Sequence, residues 1–455
     1  MHLNKQVSKQ QIGKAGIAAI MLLSSLTVMV GTALTPALPA LGEVYHLGNY
    51  VSWLVTAPAL GVVATAIFFG WLIDKKGPYA VAVIGIFFYG LLGVIGGYMP
   101  NAALLFIDRF LLGAATAAIM SAGVALIANF FEGEKQLKII ALQGMSMEFG
   151  GVIFLSVSGM LSDISWKYAF YIYGLGFVAL LMILLFVPKC GAAGAGSEAA
   201  DTAGAGGVRT ADAVWTDAAV KTGSGSATVD TNRSGSAGDV AVTDNVGSAD
   251  GIADPAGEPA AKDSSIRSTS ASSKGVPVSL ILVIAFLGML MFFTAMVSLP
   301  IYLQTTLGYS PAFTGYFLAA LDLVSVLCAG FMPSVVKKVQ EKGCLTIAFC
   351  GYGIAFTMYL LSGTSPVILW LGAIFTGVGF GFSTPLFNSL VVSKSTPQNK
   401  GRNISFCTMA MFAGQFLSAL LVSAFSGKTL YLVALIMAFV IMPCIIPTAK
   451  RFRRE

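Results

Sequence analysis

Long apolar stretches, broken by short polar ones, fill most of this chain, near 15–40, 48–73, 79–99, 102–131, 138–162, 166–187, 278–302, 311–335, 343–363, 366–393, 403–426 and 428–449. Most of them reach the roughly 20 residues that a helix rising about 1.5 Å per residue needs to cross a bilayer core. Bare backbone polar groups are not tolerated in lipid, so runs this long must satisfy their own hydrogen bonds as helices. The weak ten-residue alternation of a membrane barrel does not occur. The pattern predicts an all-α integral membrane protein of twelve transmembrane helices, six and six about a long gap. Three regions follow: an N-terminal six-helix bundle over 1–188, a linker over 189–276, and a C-terminal six-helix bundle over 277–455.

The gap is rich in Gly, Ala, Ser, Thr and Asp, with a single Trp215 and no apolar helical face. Such a segment buries too little surface to offset its conformational entropy and is expected to be a disordered cytoplasmic tether. Asn232, Arg233 and Ser234 match a glycosylation triplet there, which on the cytoplasmic side is a chance match. Composition agrees with the spans: 56% of residues are hydrophobic and 11% charged, with a mean hydropathy of +0.81, against about 25% charged in a soluble domain. A soluble enzyme is excluded. The net charge of +6 divides into about −5 over 190–275 and a remainder near +11, and the positive excess records loop anchoring rather than affinity for nucleic acid.

Orientation follows from Lys and Arg in the short loops. With the N-terminus inside, the cytoplasmic side takes Lys5, Lys9, Lys14, Lys75, Lys76, Lys135, Lys138, Lys337, Lys338, Lys342, Lys394, Lys400, Arg402, Lys450, Arg451, Arg453 and Arg454, and the outer side only Lys167 and Lys428. Both termini are thus expected in the cytoplasm, on an inner membrane. The first apolar run exceeds a signal-peptide core and reads as a retained helix. Of the cysteines, Cys190, Cys328, Cys344, Cys350, Cys407 and Cys444, none falls in an outer loop, so structural disulfides are not expected. His2 and His46 are the only histidines, which leaves no metal-ligand spacing.

The halves look like repeats. Leu105 to Gly151 and Leu369 to Gly414 share a layout, with Gly113 corresponding to Gly377 and Gln143 to Gly151 echoing Thr408 to Gln415. Internal symmetry of this kind marks transporters with a substrate site near the midplane. The loop Gly70, Trp71, Leu72, Ile73, Asp74, Lys75, Lys76, Gly77 resembles the second-to-third-helix motif of the major facilitator superfamily, with Pro78 and Tyr79 in place of the usual basic pair. Arg109 with Gly113 resembles its fourth-helix element, and Ser165, Trp166, Lys167, Tyr168, Ala169, Phe170 its sixth-helix start. Leu299 to Gln304 with Gly308, Tyr309 and Ser310, and Pro36 with Pro39, resemble drug/proton-antiporter-like efflux members. The fifth-helix antiporter signature is reduced to Gly150 and Gly159, with Phe154, Leu155 and Ser158 at its other positions. The resemblance implies two six-helix bundles working by alternating access, with Gly70, Asp74, Lys75 and Gly77 as a cytoplasmic gate.

A charge at the bilayer centre costs about 2.5–3.5 kcal/mol on insertion scales, so each one there calls for a role. Glu148 and Asp322 each lie about 15 Å along their helices, near the midplane. In the resembled arrangement the fifth and eighth helices adjoin, so the two acids are expected to face one cavity without a neutralising base and to couple protons to substrate. Arg109, with Asp108 or Asp163 as partner, is a candidate relay or outer gate, and Gln143, Asn388, Gln415 and Gln304 are candidate substrate contacts.

The expected function is proton-coupled efflux of a small cationic, zwitterionic or amphipathic compound, by a monomer in the lipid bilayer, with a proton gradient in place of any cofactor. The alternatives are a proton-symporting uptake permease and, further off, a membrane sensor or a membrane enzyme.

Overall fold

The computed structural model describes residues 12–131, 133–190, 278–395, 399–425 and 427–451. Nearly all of the linker, its glycosylation triplet and Trp215 included, lies outside them. So do Lys5, Lys9, Arg453 and Arg454.

The described residues form twelve helical spans. In the first half they are α1 (Lys14–Val44), α2 (Trp53–Lys76), α3 (Pro78–Ile95), α4 (Ala102–Phe130), α5 (Gly133–Ile164) and α6 (Tyr168–Phe186). In the second they are α7 (Val278–Thr306), α8 (311–339), α9 (341–361), α10 (Pro366–Ser393), α11 (Lys400–Ala424) and α12 (Gly427–Arg451). Helices 8 and 9 run on from one another except at Gln340, where φ 62° and ψ 171° leave the helical region and divide the run. Helix 5 begins at Gly133, about a turn before the apolar run, because its first turn is polar helix outside the hydrophobic stretch.

Local chemistry explains the ends and the breaks. Asn101 caps α4 by accepting from the Leu104 N–H at 2.9 Å, and Ser310 caps α8 by accepting from Phe313, with Pro311 in the first turn where its missing N–H costs nothing. Pro36 and Pro39 cannot donate, so α1 tightens through a 3₁₀ turn at Thr35–Ala37 before resuming at Leu38. The Thr35 hydroxyl donates to the Gly31 carbonyl at 2.9 Å across that break. Gly77, at φ 83°, makes the turn between α2 and α3 in a conformation that favours glycine, and Pro78 starts α3.

Each half has its own apolar core, one around Leu23, Leu26, Ile86, Tyr89, Leu112 and Ile119, the other around Phe317, Phe349, Tyr352, Phe356 and Phe387. The sequence repeat has a structural counterpart. A Cβ on Gly113 would run into the backbone carbonyl of Pro58 on α2, and one on Gly377 into that of Leu321 on α8, so both glycines let a helix pair close to backbone contact.

The halves meet most tightly at the ends of the helices opposite the lysine-bearing loops. There Gly159 of α5 and Gly315 of α8 pack backbone to backbone. The Ser52 hydroxyl donates to the Ala419 carbonyl at 3.2 Å, and Trp53 packs edge-on against Phe416. The Gln304 amide donates to the Pro36 carbonyl at 2.8 Å. This set of contacts forms a seal on one face of the molecule.

Candidate functional site

Beneath the seal lies a cavity of about 200 Å³ between the halves. Helix 1 contributes Ser24, Thr27, Gly31 and Thr32, and α5 contributes Gln143, Met147 and Glu148. The other half supplies Phe292 and Met296 from α7, Asp322 from α8, Phe380 and Asn388 from α10, and Met411 and Gln415 from α11. Lining residues such as Met120, Gln143, Asn388 and Thr408 sit in the lysine-loop halves of their helices, so the cavity extends toward that face and stops short of the seal.

Glu148 and Asp322, expected in one space from their depth and from the helix adjacency that the resemblance implies, both line this cavity. Asp322 is buried and Glu148 half-buried. The Asp322 carboxylate lies against Gly151, where a Cβ would collide with Oδ2. Among the described residues, no Lys, Arg or His lines the cavity. The remaining wall is soft and aromatic: Met120, Met147, Met289, Met296 and Met411, with Phe292 stacked on Phe380 at 3.7 Å between centroids and Phe293 edge-on to Phe292. Polarisable thioethers and π faces accommodate irregular apolar bodies and attract cations.

Among the amides, Gln143, Asn388 and Gln415 line the cavity. Gln304 does not; it belongs to the seal through Pro36. Gln143 donates through Nε2 to Ser24 Oγ at 2.8 Å, and Ser146 ties α5 to α1 by donating to the Met21 carbonyl at 3.0 Å.

Asp108 and Arg109 are placed away from the cavity, buried inside the first half. Arg109 donates to Asp108 Oδ2 through Nε at 3.0 Å and Nη2 at 2.6 Å, and its guanidinium sits 5.2 Å from the ring centres of both Phe170 and Tyr173. Of the two partners that height in the membrane allows Arg109, Asp163 is exposed and the neighbouring Asp108 takes the pair. Behind the cavity wall, Tyr89 donates to the Leu26 carbonyl at 2.6 Å and Tyr173 to that of Val30 at 3.4 Å, so the pair and its rings brace α1 from the rear.

At the loop motif, Gly77 makes the turn, Asp74 is exposed, and Lys75 reaches back over the Trp71 ring at 4.1 Å. Gly70 is half-buried on α2. The residues that sequence reasoning missed are Gly151, which seats Asp322, and the Phe292 and Phe380 stack. Hydropathy reads all three only as ordinary membrane residues.

Comparison with known proteins agrees with this architecture. The puromycin resistance protein pur8 of Streptomyces alboniger is 28% identical over 172 residues, covering 37% of this chain and 34% of that protein. The riboflavin transporter RibZ of Clostridioides difficile is 25% identical over 167 residues, covering 36% and 37%. The lincomycin resistance protein of Streptomyces lincolnensis is 28% identical over 181 residues, covering 38% and 36%. The matched part thus spans about a third of these curated relatives. Among solved structures, the nucleoside transporter NupG superposes with a TM-score of 0.66 at 11% identity, covering 95% of this chain and 99% of that one. The proton:xylose symporter XylE superposes at 0.60 and 12%, covering 94% of each. The family model described as Major Facilitator Superfamily matches residues 20–419 and 281–454. By that match over most of its length, with twelve spans in two halves around a central cavity, the chain is a multi-pass membrane protein that belongs to the Major Facilitator Superfamily.

Proposed function

We propose that this transporter exports a small cationic, zwitterionic or amphipathic compound in exchange for protons, with Asp322 and Glu148 carrying the coupling. The supporting observation is the charge pattern of the cavity: among the described residues its lining holds two acids and no base, set in methionine and phenylalanine walls. An anion would find no basic anchor at this depth. A cation can replace the protons that the two acids take up when the site is empty, which is the exchange that antiport needs. The lysine-bearing loops belong on the cytoplasmic side by the positive-inside rule. The seal then faces outward and the cavity inward, ready to load from the cytoplasm. The puromycin and lincomycin resistance relatives favour export.

Proteoliposomes test the coupling. Glu148→Gln and Asp322→Asn should retain substrate exchange and lose pH-driven accumulation; normal pumping by both variants would remove the pair from the mechanism. The second reading, uptake by symport, is kept by the relative named as a riboflavin transporter and the neighbour named as a xylose symporter. Accumulation in intact energised cells rather than in everted vesicles would select it.

A further inference from the structure

Two polar groups of the second half open into the cavity beside one turn of α1. Asp322 Oδ2 lies against the bare backbone of Gly151, and a Cβ there would also stand 3.2 Å from Val28 Cγ1 on α1. Gln415 Nε2 lies 3.4 Å from the point that a Cβ on Gly31 would occupy. Val28 and Gly31 are three residues apart and therefore neighbours on the surface of α1, about 5–6 Å from one another. The acid and the amide thus flank a single helical turn. Gln415 is 5% exposed, and among the described residues its amide makes no hydrogen bond. Gln143 Oε1, also without a partner, is walled off from the cavity space; the amide atoms of Gln415 and the carboxylate of Asp322 are not, and both residues line it.

The two groups make different demands on a ligand. A carboxylate attracts an ammonium. An amide carries no net charge and offers one carbonyl and two N–H donors, which suit a neutral carbonyl or a second amide. A ligand carboxylate set on Gln415 would stand about one helical turn from Asp322, and among the described residues no base lines the cavity to offset the repulsion. We infer that the substrate is a cation whose second polar group is a neutral carbonyl or amide a few bonds from its ammonium, and that Gln415 selects it. The ammonium lies at Asp322 and the carbonyl accepts from Gln415 Nε2. The apolar body lies against Phe293, whose ring edge is 4.0 Å from the same position at Gly31, and against the stack of Phe292 and Phe380. Zwitterions, whose second group is an anion, are rejected. This assignment narrows the substrate proposed above and rests on the reading of the cavity as a site for cations.

Binding to the purified full-length chain in lipid nanodiscs, measured by calorimetry at neutral pH without a gradient, tests it with three probes. Phenylalaninamide has an ammonium, a neutral amide and an apolar ring. Phenylalanine replaces the amide by a carboxylate of the same shape, and phenethylamine lacks the second polar group. Phenylalaninamide is expected to bind about tenfold more tightly than phenethylamine, the worth of one well-placed hydrogen bond, and phenylalanine more weakly than both. In Gln415→Leu the amide should lose its advantage over phenethylamine while phenylalanine stays the weakest of the three. That retained order shows that the variant is folded, and the wild-type comparison stands without it. If phenylalaninamide binds no more tightly than phenethylamine, or keeps its advantage in Gln415→Leu, the selection by Gln415 is overturned, and a still weaker phenylalanine leaves the cation reading in place. Phenylalanine binding as tightly as its amide would overturn both, and no binding of any probe would overturn the inference. Binding without a gradient is indifferent to direction and coupling. Probes that bind in the expected order yet accumulate in intact cells therefore keep the inference and remove the export reading.

Discussion

The carboxylate of Asp322 on α8 rests against the bare backbone of Gly151 on α5, so the deepest acid of the cavity is seated by the absence of a side chain on the other half. In a helix interior Ala is favoured over Gly by about 1 kcal/mol. Overpacking at a tight contact costs about 1–3 kcal/mol, and here the steric term wins. Gly151→Ala should therefore move Asp322 without unfolding the protein. Its pH-driven accumulation in proteoliposomes is expected to fall at least tenfold while thermal stability in detergent changes by a few degrees. Unimpaired accumulation would mean that the seat is incidental.

The Asp108 and Arg109 pair makes a different prediction. Both side chains are buried away from the cavity, and removal of one partner from a buried pair costs about 3–5 kcal/mol because the other is left as an unpaired charge. Asp108→Asn and Arg109→Gln should each lower the thermal midpoint markedly, and the double variant should be less destabilised than the two single losses combined. Transport by the protein that remains folded should keep its pH profile. A shifted profile at full stability would return the pair to the proton path.

Much of this was legible in the chain and some of it was not. The spans were, because twelve apolar runs admit no other structure in lipid. Glu148 and Asp322 were, because distance along a helix converts directly to depth, and depth selects the acids that anchoring does not explain. Asp163 was as good a partner for Arg109 as Asp108 on height alone; rotation about the helix axis decides, and only packing reveals it. Gln304 looked like Gln143 in sequence, yet the break at Pro36 exposes a carbonyl that claims it for the seal. The hydrogen bond that Gln143 donates to Ser24 joins residues 119 apart, which no local pattern encodes.

The seal can be locked. Ser52 Oγ and the Ala419 carbonyl are 3.2 Å apart, so cysteines at these two positions should be bridged by a short bifunctional thiol reagent with a reducible spacer. The locked protein should lose net transport and still bind ligand from the lysine-bearing face, and reduction should restore activity. Transport that continues through the cross-link would show that this face does not open there.

One thiol outside the membrane spans reports on the packing at the end of α6. Burial pushes the Cys190 thiol above its ordinary range, opposed in part by a hydrogen bond with Asn129. A raised thiol holds less thiolate at neutral pH, and thiolate is the form that reacts. In a variant with its other cysteines replaced, maleimide labelling at pH 7 should be several-fold slower than that of free cysteine and should recover as the pH rises past 9. Labelling at the free rate would place Cys190 in open solvent.

The contacts that form the seal, Gly159 on Gly315, Ser52 on a carbonyl, Gln304 on a carbonyl and Trp53 on Phe416, contain no charge. Screening by salt acts on charges and leaves dipoles in close contact almost untouched. The turnover between the two facing states should thus be as fast in brackish surroundings as in dilute ones, and respond instead to the thickness and fluidity of the surrounding lipid.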